Sequence, residues 1–119
     1  MTYPLTFFTS NLPAGTNGQA RGPVILIRKG YESDRGLLEH EKEHVWQSVS
    51  TLFIGHALLY LFVRRYRLWA EVKAYNVQRA YPDRHDKYLS LNDAAARLAG
   101  PKYKLNITIE QAKEYLQNG

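Results

Sequence analysis

The sequence predicts an α+β chain, mainly helical, with a small N-terminal β-hairpin or sheet packed on two long helices. Three observations carry this expectation. The β-favouring runs, Leu5 to Thr9 and Val24 to Ile27, both lie ahead of Gly30. Beyond Asp34, apolar residues recur at spacings of three and four, as on a helix that buries one face. Gly and Pro interrupt that pattern only at a few points, Gly55, Pro82 and Gly100-Pro101. The 119 residues suffice for one domain with one modest core, and 1–119 is read as a single domain.

Taken in order, Leu5 to Thr9 is a β patch followed by turn formers at Asn11, Pro13, Gly15, Asn17 and Gly18. Val24-Ile25-Leu26-Ile27 reads as a strand, and Asn17-Gly18 can turn a hairpin between the two patches. Ser33 or Asp34 can cap a helix running to about Thr51, with Leu38, Val45, Val49 and Leu52 facing the core. A second helix is expected from about Ala57 to Arg79. Leu61, Leu68, Val72 and Tyr75 form its stripe, and Arg64, Arg65, Lys73 and Arg79 turn to water. Tyr81-Pro82 ends it. A third helical stretch covers about Asp83 to Ala99, with a local cap at Ser90 and Asp93 that can split it. Lys104 to Ile109 alternates like a short strand, and Thr108 with Gln111 caps a last helix to Leu116. The segment 101–119 is expected to dock on the domain.

Composition limits what the chain can do. It has no cysteine, so disulfides and thiolate metal sites are excluded. A net charge of +5 aids solubility but does not by itself indicate nucleic acid. Arg64, Arg65 and Arg67 fall around several faces of one helix, so no nucleic-acid partner is expected. Met1 to Pro13 has no Lys or Arg ahead of its apolar residues, unlike a secretory signal. The expected location is the cytoplasm, or release by lysis. Val49 to Val63 is apolar but short of the roughly 20 residues that span a bilayer. It is read as buried core over a membrane anchor or an interfacial helix.

The chemistry concentrates at His40-Glu41-Lys42-Glu43-His44. Residues four apart share a helix face, so His40 and His44 can grip one metal ion through imidazole nitrogens. Glu41 projects beside that ion, where a carboxylate can take a proton from water. A catalytic zinc site needs a third protein ligand. Glu71 lies 27 residues beyond His44, on the stripe of Leu68 and Tyr75. A carboxylate facing a core is costly unless paired or bound to metal, which favours Glu71 over a surface residue pairing with Arg67. Position 50, a third His in some extended motifs, is Ser50, and His56 is read as a helix-end or core residue. Tyr75, Tyr81 and His85 are candidates to stabilise an oxyanion.

The runs L-E-H-E-K-E-H-V-W-Q (38–47) and A-E-V-K-A-Y (70–75) together resemble the gluzincins, zinc peptidases with two His and a downstream Glu. The likeness is greatest to small single-domain minigluzincins and to short zinc peptidases of phage and bacterial genomes. It implies a zincin-like fold, one Zn²⁺ held by His40, His44 and Glu71, and Glu41 as general base. It also implies an edge strand at Val24, Ile25, Leu26 and Ile27, continuing to Lys29, along which an extended peptide pairs. The expected substrate is a peptide or protein, peptidoglycan stem peptides included. Tyr75 stands where the family's acid follows the E-x-x-A of the ligand helix, and residues 83–119 stand where its C-terminal subdomain would be. A catalytically inactive, zinc-stabilised binding or structural module is the alternative.

Overall fold

A computed structural model of the chain describes residues 5–21, 23–50 and 54–119, with backbone alone at Ser50, Ile54 and His56. The expected core positions of Leu52 and His56 therefore lie outside the described side chains, as do helix end Thr51 and Met1 to Pro4. The architecture is α+β. Three strands, β1 (Leu5–Thr9), β2 (Gly18–Arg21) and β3 (Val24–Arg28), precede five helices. The helices are α1 (Arg35–Ser50), α2 (Ile54–Phe62), α3 (Arg64–Arg79), α4 (Leu91–Leu98) and α5 (Ile109–Asn118).

The sheet order is β1-β3-β2, with β1 parallel and β2 antiparallel to β3. The two apolar patches thus pair side by side in parallel, not as a hairpin through Asn17-Gly18. The hairpin forms instead between β2 and β3. This corrects the edge-strand expectation: Val24, Ile25, Leu26 and Ile27 form the central strand, with both ladder sides taken. The physical reason is burial. Ile25 and Ile27 alternate onto one face and, fully buried, pack with Val45 of α1.

Asp34 caps α1, its Oδ1 accepting the Leu37 N–H at 2.9 Å. α1 and α3 pack antiparallel. At one end the Gly36 N–H donates to the Pro82 carbonyl at 2.9 Å, and a Cβ on Gly36 would meet the Tyr81 carbonyl oxygen at 3.0 Å. Glycine is what lets the two helices close there.

The expected 57–79 helix is two helices, broken at Val63, while Gly55 lies within α2. Its stripe holds at Leu68, Val72 and Tyr75, but Leu61 is exposed, as is Val49 on α1. The 83–99 helix is only α4, capped by Ser90, whose hydroxyl accepts the Asp93 N–H. Ahead of it, the Asp83 carboxylate accepts the backbone N–H groups of His85 and Lys87 and winds a turn.

The 104–109 segment is not a strand. Lys104 and Asn106 have φ of 52° and 57°, in the left-handed region. Its backbone is satisfied by arginines: Arg67 donates to the Tyr103 carbonyl at 2.7 Å, and Arg64 to the Leu105 carbonyl at 2.8 Å. Tyr103 and Leu105 thereby enter a second core with Val72, Leu98 and Leu116. Thr108 and Gln111 form a full capping box on α5.

Leu105 is 1% exposed and Leu61 67% exposed, so the same truncation should separate them. In urea unfolding, Leu105→Ala should cost about 3 kcal/mol. Leu61→Ala should stay within about 0.5 kcal/mol of wild type.

Candidate metal centre

One turn of α1 separates His40 from His44, and their rings meet edge-on with centroids 5.0 Å apart. The antiparallel α3 brings Glu71 between them. Glu71 Oε1 is 3.3 Å from His40 Nε2, and Oε2 is 3.2 Å from His44 Nε2. All three residues are buried, Glu71 to 2% exposure. Ligand atoms from the three lie within 4.8 Å of one another, and the group can hold a metal ion. Two donors bound to one ion at roughly 2.1 Å and a tetrahedral angle sit about 3.4 Å apart, close to the spacings seen here.

A second layer of side chains orients the donors. His40 Nδ1 meets Gln78 Oε1 at 2.8 Å, and His44 Nδ1 meets Gln47 Oε1 at 3.0 Å. The Gln47 amide donates to Glu43 Oε2 at 3.2 Å and to the Ala70 carbonyl at 3.1 Å, which leaves its oxygen for His44. Each Nδ1 therefore carries a hydrogen, and each Nε2 is the atom turned to Glu71. Tyr60 donates to Glu71 Oε2. Glu71 Oε1 is buried with no hydrogen-bond partner among the described residues. The nearby His40 Nε2, whose ring already donates through Nδ1, presents a lone pair to it. Two facing lone pairs in a buried site are what a cation satisfies.

Without such a cation the site balances charge with a proton. Burial alone would favour neutral His44, but the Glu71 carboxylate outweighs it and pushes the imidazole up from 6.5 to about 9. Burial would likewise raise Glu71, yet chiefly the charge on His44 holds it well below the usual carboxylate range. Burial, then Glu71, push the Tyr60 and Tyr103 hydroxyls above the phenol range, so both remain protonated.

Glu41 is buried beside the triad, under β2. A Cβ on Gly18 would come within 3.2 Å of Glu41 Cγ and 2.9 Å of Leu37 Cδ1, so glycine lets the strand lie this close. Gly18, Gln19 and Ala20 line one wall of a cleft whose other residues include His40, Glu41, His44, Glu71, Tyr60 and Tyr103. Among the described strands β2 is paired on one side only.

The structure brings His40, Glu41, His44 and Glu71 together, sets Tyr75 against His40, and keeps Tyr81 and His85 apart. Tyr75 packs edge-on against His40 at 4.6 Å, and its hydroxyl, pushed up to about 12 chiefly by burial, pairs with the Tyr103 hydroxyl at 2.7 Å. Tyr81 lies ten residues past Glu71, roughly 15 Å along the chain at helical rise, under the Arg35 guanidinium. His85 is exposed in the turn built on Asp83. Neither lines the cleft, because both follow the end of α3 that points away from Glu71. Sequence reasoning missed Tyr60, Tyr103 and the orienting role of Gln47 and Gln78. The two glutamines had a signal, at three residues past His44 and seven past Glu71 on the same helix faces.

Comparisons of the chain with models of known protein families, with curated proteins and with solved structures gave no match.

Elemental analysis of untagged protein should find about one bound metal per chain, lost in His40→Ala and much reduced in Glu71→Ala. Gln78→Leu should weaken metal binding roughly 10- to 100-fold. The sign of the pH dependence follows from His44. Its contribution to metal-free stability is complete below pH 6.5 and is lost as the pH rises through about 9. Apparent metal affinity runs the opposite way. It should climb about tenfold per pH unit from neutral towards that value, with about one proton released on binding, measured by calorimetry in buffers of differing ionisation enthalpy.

Proposed function

We propose that the chain is a zinc-dependent peptidase of gluzincin type. The observation that carries this reading is the buried His40, His44 and Glu71 group with Glu41 beside it in an open cleft. The donor set, two imidazole nitrogens and a carboxylate, is that of catalytic zinc sites. His40, His44 and Glu71 would hold the zinc, which when bound would supply a Lewis acid to polarise a carbonyl and acidify water.

The chain's own residues supply the rest. Glu41 accepts a proton from the attacking water and passes it to the leaving amine. An extended peptide pairs with the open side of β2, so substrate alignment moves from Val24–Ile27 to Gly18–Arg21. With Tyr75 as donor in the Tyr75–Tyr103 pair, Tyr103 keeps its hydrogen for the substrate oxyanion. The substrate is a peptide or protein, with peptidoglycan stem peptides included.

One observation favours the second reading, a zinc-stabilised binding module without turnover. Lys102 and Tyr103, from the C-terminal segment, stand in the wall of the same cleft.

The test is cleavage of a peptide library and of stem peptides by zinc-loaded protein, read by mass spectrometry. Glu41→Gln should lower the rate about 10²- to 10⁴-fold with zinc content unchanged. Turnover equal to wild type in that variant would refute the mechanism. Stoichiometric zinc with no cleavage by wild type would leave the binding module.

A further inference from the structure

Helix α2 was expected in the core, and the structure places much of it at the surface. Tyr60 is its inward residue, reaching Glu71. Leu58 and Phe62 stand two residues to either side of Tyr60, roughly 160° around the helix from it. They are 54% and 79% exposed, and Leu61 beside them is 67% exposed. Leu59 and Val63 are also exposed. α2 packs on both α1 and α3, and each adds exposed apolar residues: Trp46 and Val49 from α1, Trp69 from α3. Large exposed apolar groups of this density are uncommon on a soluble monomer and mark a contact surface.

Charge decides what the surface meets. Between Glu43 and Glu71 the sequence has no Asp or Glu, while Arg64, Arg65 and Arg67 all fall within it. Arg64 and Arg65 directly follow the exposed end of α2, and both are exposed. Lys104, also exposed, is tied next to them through its carbonyl, which accepts from Arg67 at 3.4 Å. An apolar helix face edged by arginines and tryptophans, with no acid nearby in sequence, matches a lipid surface bearing anionic headgroups. Leucine and phenylalanine enter the acyl boundary, tryptophan settles at headgroup level, and arginine meets phosphate. Among the described residues no helix is long and apolar enough to cross a membrane.

We propose that the α2 face, with Leu58, Leu61 and Phe62 at its centre and Arg65 at its edge, docks the protein on an anionic membrane surface. The cleft opens on the side of α2 that carries Tyr60, so docking leaves it clear.

The chain's two tryptophans, Trp46 on α1 and Trp69 on α3, are exposed on the two helices that α2 packs against and report on contacts made near it. The full chain is mixed with phosphatidylcholine vesicles holding roughly one third phosphatidylglycerol, and with vesicles of phosphatidylcholine alone. Co-sedimentation and a blue shift of tryptophan emission are expected with the first and not the second. Leu61→Ser combined with Phe62→Ser should weaken binding at least roughly tenfold, with circular dichroism unchanged because both side chains are exposed. Arg65→Gln should weaken it roughly fivefold. Three results would overturn the proposal: no binding to either vesicle, equal binding to both, or a concentration-dependent dimer through this face in sedimentation velocity with no vesicle binding. The assay reads neither metal nor cleavage, so its outcome is independent of the peptidase reading.

Discussion

The Glu71 carboxylate, held between two imidazoles in the seam of α1 and α3, is the interaction on which the other features converge. A buried charge of this kind is tolerated only when every neighbour is arranged for it. Tyr60 donates to one oxygen, His44 faces the same oxygen, and His40 faces the other. Gln78 and Gln47 hold the two rings so that the facing nitrogens point at the carboxylate. The helices must run antiparallel and close together for this, and Gly36 permits the approach at one end. The catalytic and metal-binding readings thus begin from a packing constraint that the buried acid imposes.

The site was more legible in the sequence than the fold around it. His40, Glu41 and His44 share one local helix, so spacing alone placed them. Glu71 was found because a carboxylate on an apolar stripe is anomalous, and that anomaly survives without knowledge of the tertiary contact. Tyr60 and Tyr103 carried no comparable sign. In a chain with nine tyrosines, which hydroxyls meet the acid depends on how α2 and the 103–105 segment fold back. The strand order escaped for a related reason. Val24–Ile27 is apolar enough for either an edge or a centre, and only the pairing of Leu5–Thr9 in parallel decides between them.

The misreadings at Leu61 and at 104–109 share a cause. Periodicity says that a face is apolar and not what covers it, and alternation says which side chains turn inward and not that the backbone is extended. At 104–109 two left-handed residues keep the inward alternation while the arginines of α3 take the carbonyls that a neighbouring strand would have bound. The same arginines fix the C-terminal segment against the wall of the cleft. A charge cluster that reads as solvated surface is here part of the internal hydrogen bonding.

The apolar interior falls into two clusters, one between the sheet and α1 and one among α3, α4 and α5. The polar seam carrying His40, His44 and Glu71 runs between them. A cation held by these three residues would bridge α1 and α3 across that seam. Without the cation, the ion pair of His44 with Glu71 holds the same seam. A metal ion bound there would add its binding free energy to the stability of the folded chain, and would make that stability depend on metal supply.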